Sequence, residues 1–170
     1  MFRDGARKSM WQAETKRLEN LPTHDQMFDV AIIGGGITGV STAYRLQLSG
    51  LRCILLEANN IGFGTTGGTT AHLNDFFDTT FKETISKFGL ENSKLLVQAG
   101  KEAIHIFQAN VARHEIDCDF EYKNAQLFAI DDNQVQQLDD IVDGAKQVGY
   151  EMTYIDEIDY PIPFKKAVHI

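Results

Sequence analysis

Phe28-Asp29-Val30-Ala31-Ile32-Ile33-Gly34-Gly35-Gly36-Ile37-Thr38-Gly39 joins a short, β-branched apolar run to a cluster of glycines. Such a run, stopped by glycine, predicts a buried parallel strand. Beyond it Ile37, Val40, Tyr44 and Leu48 share one helical face, and Gly50 stands where a helix ends. Cys53-Ile54-Leu55-Leu56 predicts a second buried strand, closed by Glu57. Strand, helix and strand in about thirty residues make a βαβ unit.

The glycines Gly34, Gly36 and Gly39 stand in GxGxxG spacing, and Glu57 follows Gly36 by 21 residues. An acidic residue about 20 residues on, at the end of the next strand, is what a dinucleotide site requires. Gly34 allows the tight turn off the strand. Gly36, without a Cβ, lets a diphosphate approach the backbone, and Gly39 lets the helix pack closely on the strands. The helix N-terminus at Ile37 and Thr38 presents N–H groups and a partial positive charge. Glu57 suits ribose hydroxyls and repels a 2′-phosphate.

A second loop, over 59–71, is rich in glycine and threonine: Gly62, Gly64, Thr65, Thr66, Gly67, Gly68, Thr69, Thr70. In a doubly wound fold it emerges beside the ligand crevice. A plain NAD site has no need of it, and a ligand with a second phosphate-linked arm does. FAD is therefore favoured over NAD.

The outward reading is coarser. Thr80-Phe81-Lys82-Glu83 has capping-box spacing, with Phe81, Ile85 and Phe88 on one face and Gly89 as the stop. Asn92 is expected to cap a longer helix with the stripe Leu96, Ala99, Ala103 and Phe107, running to about His114. Segments 120–122 and 126–130 read as a β-hairpin. A helix carrying Val135, Leu138, Val142 and Ala145, capped by Asp131 or Asp132 and ended by Gly149, precedes a strand at 152–155. The tail with Pro161 and Pro163 carries no strand signal. Three segments result: an extension over 1–26, a nucleotide-binding βαβ unit over 27–79, and the start of a substrate domain over 80–170. For the extension, a strap across the body anchored by Trp11 and a loose arm are the two readings.

Composition narrows the function. With 16 Lys+Arg against 24 Asp+Glu the net charge is −8, which disfavours nucleic acid as a partner. No apolar run approaches the length of a membrane span. Cys53 and Cys118 are too few and too far apart for a disulfide framework or a metal knuckle, and no secretory signal precedes the body. A cytoplasmic protein without a metal site is expected. Cys118 is expected as a small buried residue, His105 and His114 as solvated helix histidines, Asp75 and Asp78 as caps of the following helix, and Asp139-Asp140 as a solvated face.

The paired motifs, Val30 to Gly39 and Glu57-Ala58 with Gly64-Thr65-Thr66 and Thr70-Ala71-His72-Leu73, resemble the D-amino-acid oxidase/glycine oxidase family of FAD-dependent oxidoreductases. Thr69 to Leu73 with Arg3-Asp4-Gly5 and Lys8-Ser9-Met10-Trp11 is more similar to a branch that often carries a C-terminal Rieske iron–sulfur domain. The resemblance implies a Rossmann-like α/β fold followed by a mixed α+β substrate domain. It implies FAD, hydride transfer from the C–N bond of a small amine or amino acid, and a Rieske 2Fe-2S cluster in a domain beyond residue 170. It places Gly36, Ile37 and Thr38 at the diphosphate and Glu57 and Ala58 at the adenosine. Thr65, Thr66, Thr70, Ala71 and His72 fall on the ribityl and isoalloxazine side. Family members exceed twice this length, so the chain reads as the N-terminal portion of a longer flavoenzyme, inactive alone and with catalytic residues unidentified. For His72 a covalent flavin link, a noncovalent contact and an ordinary loop histidine all stay open. The rival functions are an NAD-linked dehydrogenase and a noncatalytic nucleotide-binding module.

Overall fold

The computed structural model describes residues 8–14, 19 and 26–170. Of the expected extension, Arg3-Asp4-Gly5, Arg7 and Leu18 lie outside the described residues. The chain forms two compact units, dividing between His72 and Leu73.

The first unit holds α1 (Met10–Glu14), β1 (Val30–Ile33), α2 (Ile37–Leu48) and β2 (Cys53–Leu56). β1 and β2 pair in parallel, Val30 with Cys53 through Ile33 with Leu56. A parallel pair must be joined by a crossover, which α2 supplies. Gly34 continues the ladder, donating its N–H to Leu56 O at 2.8 Å. Asp29 guards the other end, its carboxylate accepting from Arg52 N at 2.8 Å. The apolar stripe of α2 is largely uncovered within this unit, and Ile33 is 88% exposed. A sheet of only two strands offers too little surface to bury a helix face and two sheet faces together.

The second unit holds α3 (Phe81–Phe88), α4 (Leu90–Arg113), β3 (Gln126–Ala129), α5 (Asp132–Val148), β4 (Thr153–Ile155) and β5 (Lys166–His169). Thr80 and Glu83 close the expected capping box on α3. Gly89, at φ 79°, ends α3 and is also the N-cap of α4, so Asn92 is not a cap: its Nδ2 donates to Phe88 O. The buried face of α4 runs through Ser93 and Val97 rather than Ala99 and Ala103, which are exposed. Phe88, expected on the inner face of α3, is likewise exposed.

The hairpin expected over 120–122 and 126–130 does not form. β3 pairs antiparallel with β5, Gln126 opposite His169, and β5 also pairs with β4, giving the order β3-β5-β4. The tail thus supplies the central strand. Phe120 and Tyr122 instead meet edge to face, and Tyr122 donates to Gln108 on α4. Asp131 caps α5 through Gln134 N, and Gly149 ends it in the left-handed region. Leu138, Val142 and Val168 form one core cluster with Ala129. Phe81, Val97, Ala145, Val148 and Tyr150 form the other.

Several side chains differ from expectation. Cys118 is exposed, because no strand follows it to bury it. Asp75 does not cap α3; it accepts from Tyr150 Oη at 2.7 Å. Burial, then that carboxylate, pushes the Tyr150 hydroxyl well above its ordinary range. Asp140 pairs with Lys82 at 2.5 Å, and Asp139 accepts from Lys166 at 2.5 Å and from Tyr154 Oη at 2.7 Å, so this acidic pair is tied down. The hydrogen bond from Lys166, then that from Tyr154, holds the Asp139 carboxyl below its usual range. Between that lowered value and the ordinary one the unfolded chain binds more protons, so stability rises with pH there. The contribution is full above the ordinary carboxylate range and is lost as pH falls through the lowered value. Asp139→Asn should therefore destabilise more at about pH 7 than at about pH 3 in urea titrations. Equal losses at both would disprove the assignment.

Candidate functional site

The residues singled out for the nucleotide site all fall in the first unit. β1 ends at Ile33, Gly34 turns with φ 103°, and α2 begins at Ile37 with Gly36 as its N-cap. Only glycine adopts that φ without strain. Having no side chain, Gly36 cannot satisfy the first-turn N–H groups as Ser or Asp would. Val40 N–H bonds Gly36 O, the first helical hydrogen bond. The first turn, with Thr38 exposed, therefore presents donors at the positive end of a helix twelve residues long.

Two other segments converge on this turn. From β2, Glu57 reaches back: one carboxylate oxygen accepts from Gly35 N at 2.6 Å and the other from Asn59 N at 2.8 Å. The carboxylate thus stands at the mouth of the glycine turn, half-buried, its orientation fixed by backbone amides. Gly35 is buried so closely here that a Cβ would lie 2.5 Å from Ile61 Cδ1. From the second loop, Thr66 Oγ1 accepts from Ile37 N at 3.0 Å, and Gly62 N donates to Gly35 O at 2.8 Å. A Cβ on Gly36 would sit 3.2 Å from that Thr66 oxygen. The loop carries a short 3₁₀ turn, Thr65–Gly68.

Ala58, Asn59, Asn60 and Phe63 line a shallow pocket of about 260 Å³ immediately beyond Glu57. Thr70, Ala71 and His72 continue the loop and are exposed. Ala71 N donates to Thr69 Oγ1, and Ala71 itself has φ 63°. A non-glycine residue held there stores strain, a feature that clusters at ligand-binding loops. Trp11 anchors α1 on this loop, its indole N–H donating to Thr69 O at 3.0 Å. Of the two readings of the extension, residues 8–13 follow the docked one. The contacts of Ser9 and Gln12 carried no sequence signal, because they pair side chains with backbone more than fifty residues away.

The family described as FAD dependent oxidoreductase matches residues 29–169. The chain belongs to this family. The chain is 35% identical over 98% of its length to YhfW of Bacillus subtilis strain 168, named for a Rieske 2Fe-2S iron-sulfur protein, and covers 33% of that protein. It is 32% identical over 66% of its length to gamma-glutamylputrescine oxidoreductase of Escherichia coli K12, covering 26% of it. It is 36% identical over 42% of its length to 4-methylaminobutanoate oxidase (formaldehyde-forming) of Paenarthrobacter nicotinovorans, covering 8% of it. The chain thus spans a third or less of the relatives it matches. No solved structure matches. Among the described residues no helix is long and apolar enough to cross a membrane, and no group of His, Cys, Asp and Glu could hold a metal ion.

Proposed function

We propose that this chain supplies the FAD-binding portion of an oxidoreductase acting on the C–N bond of a small amine or amino acid. The observation that carries the reading is the convergence of Glu57 and Thr66 on the glycine turn that opens α2. The FAD dependent family and the amine oxidoreductase names of its relatives support it. Residues 27–79 form the nucleotide-binding segment, with a Rossmann-like βαβ unit, and 80–170 begin the substrate domain.

The residues fit the cofactor. Gly36, Ile37 and Thr38 would receive the diphosphate, with Gly34 and Gly39 shaping the turn. Thr66 accepts the Ile37 N–H through Oγ1, which leaves its own hydroxyl hydrogen to donate to a phosphate oxygen when the cofactor is bound. Glu57 would grip the ribose hydroxyls, and Ala58 borders the shallow pocket beside it, which suits the adenosine. Thr65, Thr70, Ala71 and His72 would line the ribityl and ring side, His72 by a noncovalent contact. When bound, FAD would supply the hydride acceptor, at its N5. The chain's share is to bind, orient and hold charge; the groups that handle substrate protons are not assigned to it. The name of YhfW, a Rieske 2Fe-2S iron-sulfur protein, supports such a cluster elsewhere in the whole protein.

Glu57→Ala tests the site. Losing one charge-assisted hydrogen bond to a ribose hydroxyl costs about 1.5–3 kcal/mol, so FAD affinity should fall by at least about 10-fold and up to about 150-fold. The purified full-length protein should be yellow and release FAD on denaturation. Unchanged affinity in Glu57→Ala contradicts the role given to the carboxylate. A colourless protein that binds NAD overturns the flavin reading.

A further inference from the structure

We propose that residues 8–13 are a strap that holds the Thr65–Thr70 loop in its cofactor-receiving shape, with Trp11 and Gln12 as positioning residues; this rests on the FAD-binding reading above. The strap fixes its own form first. Ser9 N donates to Gln12 Oε1 at 3.0 Å, Gln12 N to Ser9 Oγ at 3.1 Å and Ala13 N to Ser9 O at 3.1 Å. In that form it presents three side-chain donors on one side. Gln12 Nε2 donates to Phe63 O at 2.5 Å, Ser9 Oγ to Gly67 O, and Trp11 Nε1 to Thr69 O at 3.0 Å. The approach is close enough that a Cβ on Gly67 would lie 2.9 Å from Gln12 Cγ.

These bonds orient the loop. In a trans peptide the carbonyl and the following N–H point to opposite sides. Drawing the carbonyls of Phe63 and Thr69 to the strap therefore turns the N–H groups of Gly64 and Thr70 away from it. Gly68 N closes the turn onto Gly64 O at 3.3 Å. The loop's other anchors, Thr66 on Ile37 N and Gly62 on Gly35 O, lie at the glycine turn of α2. The loop is thus gripped between the strap and the diphosphate-receiving turn. With glycine at 62, 64, 67 and 68 it would otherwise lose much backbone freedom when a ligand ordered it. Ordering it beforehand strengthens binding, chiefly by slowing release.

The test uses the full-length protein, with FAD as the probe and flavin fluorescence as the readout. Trp11→Phe keeps a ring and loses the N–H, and Gln12→Leu keeps bulk and loses the amide. Trp11→His returns a ring N–H to the position of the indole nitrogen. Trp11→Phe and Gln12→Leu should each release FAD about 3- to 10-fold faster, with the thermal midpoint of the apoprotein unchanged. Trp11→His should release it within about twofold of wild type. Release at the wild-type rate in the Trp11→Phe/Gln12→Leu double variant overturns the strap and leaves the FAD reading standing. So does a fall in apoprotein midpoint that Trp11→His fails to restore, since that marks general loosening. Wild-type protein with no affinity for FAD overturns the underlying reading instead.

Discussion

Gly39→Ala is expected to abolish FAD binding and to destabilise the first unit. A Cβ at this position would lie 1.9 Å from Gly34 O and 3.1 Å from Gly34 C. Those are backbone atoms of the turn leaving β1, so no rotamer change relieves the overlap. Either α2 moves outward by more than an ångström or Gly34 gives up its hydrogen bond to Leu56 O. Outward movement separates Ile37 N from Thr66 Oγ1 and displaces the first-turn amides. Overpacking of this kind costs about 1–3 kcal/mol or more, and the lost phosphate geometry adds to it. FAD affinity should fall by more than about 100-fold, measured by flavin fluorescence, and the thermal midpoint should drop. Gly68→Ala is the control. A Cβ there meets nothing within 4 Å, so the wild-type thermal midpoint is expected. Wild-type affinity in Gly39→Ala would show that close helix–strand packing is not what this glycine supplies.

Phe81→Ala should be the most damaging change in the second unit. Phe81 is 2% exposed and opens α3 directly after the capping box. Its ring meets Phe76 edge to face at 5.7 Å and Tyr150 at 5.1 Å. Tyr150 in turn holds Asp75 through its hydroxyl, so the ring supports a polar contact as well as an apolar cluster. Behind it Gly144 on α5 brings backbone close: a Cβ there would sit 3.2 Å from Phe81 Cβ. A cavity in so rigid a setting cannot collapse well, and the loss should be about 3–5 kcal/mol in denaturant titrations. Phe81→Leu, which keeps most of the volume, should lose much less. A loss below about 1 kcal/mol for the alanine variant would mean that the cluster around Phe81 is not a core.

The parts of this protein legible in its sequence are those whose cause is local. The run Val30 to Ile33 and the glycines after it specify a strand, a turn and the start of α2, because backbone sterics act within a few residues. Thr80 and Glu83 form their capping box for the same reason, and Asp131 and Gly149 bracket α5. The spacing from Gly36 to Glu57 is set by the length of one helix and one strand, so it too can be read directly.

What pairs with β3 could not be read that way. Gln126 meets His169, far along the chain, and β5 earns its place only by completing ladders on both its edges. Four residues after two prolines carry no periodicity strong enough to announce a central strand. The tie between Asp75 and Tyr150 likewise joins residues distant along the chain. At the candidate site the chain's order determined which residues stand near the helix start. Only the tertiary structure decided that the Glu57 carboxylate turns onto Gly35 N, that Thr66 meets Ile37 N, and that Ser9, Trp11 and Gln12 draw loop carbonyls to themselves. Hydrogen bonds between distant segments depend on where packing brings the backbone, and no local propensity encodes that position.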